Sequence, residues 1–253
     1  MQLMIISGAS SGIGAAMAKL AADAGHTVAS ISRRPGPGHH LTADLSNPKS
    51  WGGAGDWMEG LIRSQSWDRV VFVHNAGVIE PIGFAGEVDT DAALSNVMLN
   101  SAAPQVLGSR FLAAVAKADI MAQLMLISSG ASQAPIQGWS SYCAGKAATD
   151  MWAAVAGAEQ DDRKSSVTVL SVAPGVVDTE MQGAIREADS DDFPSSERFH
   201  NLHSSGGLTS PADVARVLLQ LTEINAGDSF GGIHVENGAR LDIRDFAQAW
   251  ASS

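Results

Sequence analysis

Short apolar runs recur along the chain between longer stretches of helical period. Leu3–Ile6, Thr27–Ile31, Val70–Val73, Leu124–Ile127, Val167–Val172 and Ile233–Val235 read as strands, with His40–Thr42 as a short further candidate. They lack clean apolar/polar alternation, as strands covered on both faces do. Helical patterns lie over Ile13–Ala24, Asp56–Arg63, Asp91–Ala116, Ser141–Gln160 and Pro211–Thr222. Ser210 stands as an N-cap before Pro211, a proline at the first helical position. Alternating strand and helix predicts βαβ units in a single α/β domain, residues 1–253. Its doubly wound parallel sheet has about seven strands, with helices on both faces. Ligands of such a sheet bind beyond the carboxyl ends of its strands.

Two segments break the alternation. Arg33–His40 carries Pro35, Gly36, Pro37 and Gly38, so a loop is expected after the second strand. Glu180–Thr209 is polar and serine-rich, and reads as a long loop. Met181, Ile185 and Phe193 give that segment apolar surface, which suits a lid over a substrate.

Composition narrows the function classes. Of 253 residues, 45% are hydrophobic and 17% charged, with a net charge of −11. Such acidity disfavours nucleic acid and offers no basic patch to an anionic membrane. A single cysteine, Cys143, excludes an intramolecular disulfide and a cysteine-based zinc site. No histidine pair has ligand spacing, so no metal is expected. No signal-like leader precedes Leu3–Ile6 and no run spans a bilayer, so a cytoplasmic protein is expected.

Candidate chemistry falls at the strand ends. Ser7-Gly8-Ala9-Ser10-Ser11-Gly12-Ile13-Gly14 follows the first strand and opens the first helix. Glycines permit a tight turn and close backbone approach, and the helix start offers free N–H groups to a pyrophosphate. An acid after the second strand would hold the ribose 2′-hydroxyl of NAD. Here Ser32-Arg33-Arg34 stands there instead, and two guanidiniums suit the 2′-phosphate of NADP(H). Tyr142 and Lys146, at i and i+4, share a helix face. A neighbouring ammonium is expected to lower the phenol's pKa and ready it to protonate a developing alkoxide. Ser129, 13 residues before Tyr142, has a hydroxyl able to hold the substrate oxygen. His74-Asn75-Ala76-Gly77 ends the fourth strand, Asn100 lies in the following helix, and Pro174–Thr179 ends the sixth.

Together, and in this order, these motifs resemble the short-chain dehydrogenase/reductase family over essentially the whole chain. The resemblance implies a Rossmann-type fold. It makes Tyr142 the general acid in reduction, with Lys146 lowering its pKa and binding the nicotinamide ribose. Ser129 would orient the carbonyl, and Asn100 would hold a water in a proton relay to Lys146. Gly8, Ser10, Ser11, Gly12, Ile13 and Gly14 would cradle the pyrophosphate. Asp44 and Leu45 would contact adenine, and Asn75, Ala76 and Gly77 would line the cofactor. Pro174, Gly175, Val177 and Thr179 would surround the nicotinamide. His74 stands where the family often has asparagine, and reads as structural. The runs Ile31–Arg34, Ile127–Ala131, Gly138-Trp139, Tyr142-Cys143 and Ala173–Glu187 are similar to the bacterial benzil reductase and sepiapterin reductase branch, which implies reduction of α-diketones or other ketones with NADPH. The pocket would include Trp139, Val176, Met181 and Ile185, with Trp139 either stacking on an aromatic diketone or packing under the lid. A homodimer or homotetramer is expected from the family. Oxidation of a secondary alcohol or hydroxy acid is the alternative activity. A non-catalytic cofactor-binding regulator would not be expected to keep all four of Asn100, Ser129, Tyr142 and Lys146.

Overall fold

The computed structural model describes residues 1–246, so the last seven residues of the expected domain lie outside it. Strands β1 (Gln2–Ser7), β2 (Thr27–Ser32), β3 (His39–Thr42), β4 (Arg69–His74), β5 (Ala122–Ile127) and β6 (Val167–Ala173) follow the apolar runs. A two-residue pair, β7 (Ser229–Phe230) and β8 (Ile233–His234), precedes β9 (Arg240–Asp242). The main sheet is parallel, in the order β3-β2-β1-β4-β5-β6-β9. Its order reverses between β1 and β4, which opens a crevice at their carboxyl ends.

Helices α1 (Gly12–Asp23), α2 (Trp51–Arg63), α3 (Thr90–Val97), α4 (Ala103–Ala118), α5 (Ser140–Asp162) and α8 (Pro211–Leu221) cover the two faces. Strand side chains split by parity. Leu3, Ile5, Val70, Phe72, Leu124 and Leu126 pack with α2, α4 and α5, among them Met58, Phe111 and Ala153. Met4, Ile6, Val71, Val73 and Met125 pack with α1 and α8, among them Met17, Val214 and Leu218. Burial on both faces explains the missing alternation, and each large side chain removed from water contributes about 1.5–3 kcal/mol. Ser210 caps α8 as expected, accepting from the Asp213 N–H at 3.1 Å.

Three expectations need correction. Ile233–Val235 does not join the main sheet: β8 pairs only with β7, antiparallel. The seventh strand is β9, paired with β6. It carries one apolar residue, Leu241, because Arg240 and Asp242 are each held by an opposite charge. Secondly, Asp91–Ala116 is not one helix. A π-helical turn, Met98–Ala102, separates α3 from α4. Pro104 has no N–H to return to the Asn100 carbonyl, which instead accepts the Thr149 hydroxyl at 2.9 Å. Thirdly, Glu180–Thr209 is largely helical, with α6 (Glu180–Glu187) and α7 (Ser196–Ser204). The few apolar residues of this segment, Ile185 in α6, Phe199 in α7 and Phe193 between them among others, bury themselves in a third cluster with Trp139 and Tyr142. Polar outer faces made the segment read as loop.

Candidate active site

The glycine turn is built for close approach. Gly8 has φ +68°, and a Cβ there would lie 2.9 Å from the Ala76 Cα. A Cβ on Gly14 would lie 2.4 Å from the Gly8 carbonyl oxygen. Gly14 therefore lets α1 seat against the turn. Asn75 fixes the same turn, donating through Nδ2 to the Ser7 and Gly8 carbonyls at 3.2 and 3.1 Å. The Ser7 hydroxyl accepts from the Asn75 and Ala76 N–H groups at 3.1 and 3.0 Å.

Beyond the turn lies a cleft of about 520 Å³. Gly8, Ser10, Ser11 and Gly12 form one wall, Ser32, Arg33, Arg34, Asp44 and Leu45 the far end, and Asn75, Ala76 and Gly77 the floor. Thr179 and Met181 close the side nearest α6. Arg34 reaches across to Glu180 at 3.4 Å, both side chains being well exposed. Several expected cofactor or pocket residues are not among those lining this cleft. Ile13 and Val177 pack into the α1–α8 core, Val176 and Ile185 into the third cluster, and Pro174 is buried. Gly175 turns the chain with φ +71°. A cleft of this shape, floored by backbone and ended by two arginines, fits a phosphorylated dinucleotide.

Tyr142 and Lys146 lie on the first turns of α5, both more than nine-tenths buried. Lys146 Nζ sits 5.8 Å from the Tyr142 ring centroid and donates to the Ile127 carbonyl at 2.8 Å. Burial pushes the Lys146 ammonium down to about 8, opposed by the charge of Asp150. Burial also raises the Tyr142 phenol, against the expected lowering, and a hydrogen bond with Ser129 opposes the rise. Ser129 follows β5 and caps the next turn, its hydroxyl accepting from the Ala131 N–H at 3.1 Å.

Asn100 is held in the π-helical turn by Val78 on both sides. Its Oδ1 accepts from the Val78 N–H at 3.1 Å, and its Nδ2 donates to the Val78 carbonyl at 2.7 Å and to Asn96 Oδ1 at 3.0 Å. A Cβ on Gly77 would lie 3.0 Å from Asn100 Oδ1 and 3.4 Å from Lys146 Nζ, so the three residues converge. Asn96, which also donates to the Glu80 carbonyl at 2.7 Å, was not singled out from sequence. Its i−4 spacing to Asn100 was the available signal. His74, also buried, has no partner for Nε2 among the described residues, and burial with the nearby Lys146 charge drives its pKa to about 3.

The cluster beside Tyr142 is aromatic. Trp139 stacks on Phe193 with ring centroids 4.7 Å apart and planes 12° from parallel, and meets Tyr142 edge-on at 5.7 Å. Phe199 completes the group, 5.3 Å from Trp139. One face of Trp139 is thus covered by Phe193 of the 180–209 segment. Gly138, at φ +81°, permits this seating: a Cβ there would lie 2.6 Å from the Asp192 carbonyl oxygen.

The family profile described as short chain dehydrogenase matches residues 2–190. The chain is 38% identical to a benzil reductase ((S)-benzoin forming) of Bacillus subtilis, over 97% of this chain and 100% of that protein. It is 33% identical to sepiapterin reductase of Rattus norvegicus, over 73% of this chain and 67% of that protein. The crystal structure of a short chain dehydrogenase/reductase from Saccharomyces cerevisiae superposes with a TM-score of 0.81, at 23% identity and 98% coverage of both chains. Sequence profile, relatives and the strand-end cleft agree, and the chain belongs to the short chain dehydrogenase family.

Proposed function

We propose that the protein reduces a ketone or α-diketone to the hydroxy compound with NADPH as the reductant. Two observations carry this reading together: the buried Tyr142 phenol hydrogen-bonded with Ser129, and a strand-end cleft lined by the glycine turn, Arg33 and Arg34. Likeness to the benzil reductase of Bacillus subtilis supports a vicinal diketone as the substrate class.

NADPH, when bound, supplies the hydride. The residues of the chain do the rest. The glycine turn and the start of α1 receive the pyrophosphate, and Arg33 and Arg34 pair with the 2′-phosphate, Arg34 leaving Glu180 to do so. Ser129 orients the carbonyl oxygen. Tyr142 gives its phenol proton as negative charge develops on that oxygen, and its hydrogen bond with Ser129 opposes the rise in pKa that burial causes. Lys146 stands behind Tyr142, charged below a pH of about 8. Asn100 and Gly77 shape the route towards it.

Residues 1–253 form one domain in this reading, and 180–209 act as the lid that must part from Trp139 to admit substrate. The exposed Leu94 and Val97 of α3, Val106 of α4, and Met151 and Val155 of α5 suit a homodimer or homotetramer built on these helices. No described helix is long and apolar enough to cross a membrane, and a cytoplasmic location is part of the proposed reading. Following NADPH absorbance with a panel of diketones and ketones tests the activity. Absence of turnover across the panel, or a clear preference for NADH, would refute it.

A further inference from the structure

Behind the catalytic residues lies a charge pair that the proposed chemistry does not use. Asp150 is on α5, one turn beyond Lys146 and two beyond Tyr142, so the three share a face. Its carboxylate is almost completely removed from solvent. It accepts from the Ser171 hydroxyl at 2.5 Å, from Arg240 Nε at 3.1 Å and from Gln133 Nε2 at 3.3 Å. Arg240 comes from β9, where it pairs in register with Ser171 of β6. Its guanidinium also reaches the Ser132 hydroxyl at 3.3 Å and, through Nη2, the Ser129 carbonyl at 3.3 Å. One arginine fork therefore grips both the catalytic helix and the main chain of the residue that faces Tyr142.

We propose that Asp150 and Arg240 are positioning residues of the catalytic site: the pair braces the main chain at Ser129 and sets the net charge that Lys146 meets one helical turn away. The inference rests on the reductase reading for its kinetic consequences, but not for its electrostatic ones.

The groups facing Lys146 are few. Asp150 and Tyr142 come from its own helix and His74 from β4; Cys143 adjoins Tyr142, and Arg240 stands across Asp150. His74 is neutral, with its pKa driven to about 3. Asp150 attracts protons to Lys146, and Arg240 offsets that attraction. Removing one charge of the pair must then move Lys146 one way, and removing the other must move it the opposite way. Loss of packing alone has no reason to reverse sign.

The experiment compares Asp150→Asn, Arg240→Gln and Arg240→Lys with the unaltered full chain. Lys146 is titrated by NMR of side-chain-labelled lysine, its signal assigned by its loss in Lys146→Met. Steady-state reduction of a diketone by NADPH is followed across pH in parallel. Asp150→Asn should lower the Lys146 midpoint and the alkaline limb of kcat, and Arg240→Gln should raise both, each by about half a pH unit or more. Arg240→Lys keeps the charge and loses the fork, so it should restore the midpoint yet hold kcat at least about tenfold down, with KM little changed. Midpoints that stay put, or move the same way in Asp150→Asn and Arg240→Gln, overturn the proposal. Should Asp150→Asn not fold, an unmoved midpoint in Arg240→Gln overturns it alone. The titration needs no substrate, so a chain that reduces no carbonyl refutes the reductase reading while the midpoints still decide this one.

Discussion

Replacing His74 with asparagine should flatten the acid limb of the protein's stability. The imidazole ends β4 in full burial, edge-on to Phe72 at 5.9 Å, with Nε2 unpartnered among the described residues. Burial first, and the Lys146 charge second, lower its pKa from 6.5 to about 3. The unfolded chain therefore binds a proton over a range where the folded chain does not. Stability rises with pH through that window and is lost as pH falls from 6.5 towards 3. Each pH unit inside the window is worth about 1.4 kcal/mol, so the full gap comes to about 5 kcal/mol. That figure is a ceiling, because local opening wets the ring before the whole cost accrues. Over the first two units below pH 6.5 the loss should reach about 3 kcal/mol. The carboxylates titrate in both proteins, so the difference between wild type and His74→Asn isolates the imidazole. Urea unfolding followed by tryptophan fluorescence at stepped pH supplies the two curves. Parallel curves would show that His74 charges without penalty, and the account of its burial would fail.

Other consequences can be measured on the same protein. Tyr142→Phe should cut turnover by about 10²–10⁴-fold while leaving NADPH affinity, read by fluorescence titration, nearly unchanged; retained turnover would remove Tyr142 from the chemistry. Neutralising Arg33 and Arg34 together should weaken NADPH by about 10–100-fold and NADH little, and equal losses would refute a 2′-phosphate site. Gly14→Ala should destabilise the fold by about 1–3 kcal/mol and impair cofactor binding, because its Cβ would fall 2.4 Å from the Gly8 oxygen. A thermal melt and a cofactor titration check this, and an unchanged Gly14→Ala protein would contradict the seating of α1.

What was readable in the sequence was local. Apolar runs such as Leu124–Ile127 announce strands because both their faces are buried. The glycine turn and the Tyr142–Lys146 pair are visible because their geometry is set by a few consecutive residues. What escaped depends on distant partners. Arg240 and Asp242 hid β9, since a charged residue reads as surface unless its counter-charge is known, and Asp150 lies 90 residues from Arg240. The π-helical turn escaped because alanine-rich flanks on either side of Pro104 keep the helical period going. Helices α6 and α7 escaped because their packing is spent on one small aromatic cluster rather than on the sheet. The rise in the Tyr142 pKa was missed for a related reason: spacing brings an ammonium near, while burial comes from the whole fold.

The contact at Gly138 bears on how this enzyme's substrate range can be altered. Two backbones meet there, and no side chain of any size fits between the Gly138 Cα and the Asp192 oxygen. The turn carrying Trp139 into α5 is therefore closed to variation by substitution at that point. In the proposed reading, diversity around Trp139 has to come from the side chains clustered with it, at Phe193, Phe199 and Ile185. A mutant library for new carbonyl substrates belongs on those three positions, with Gly138 left untouched.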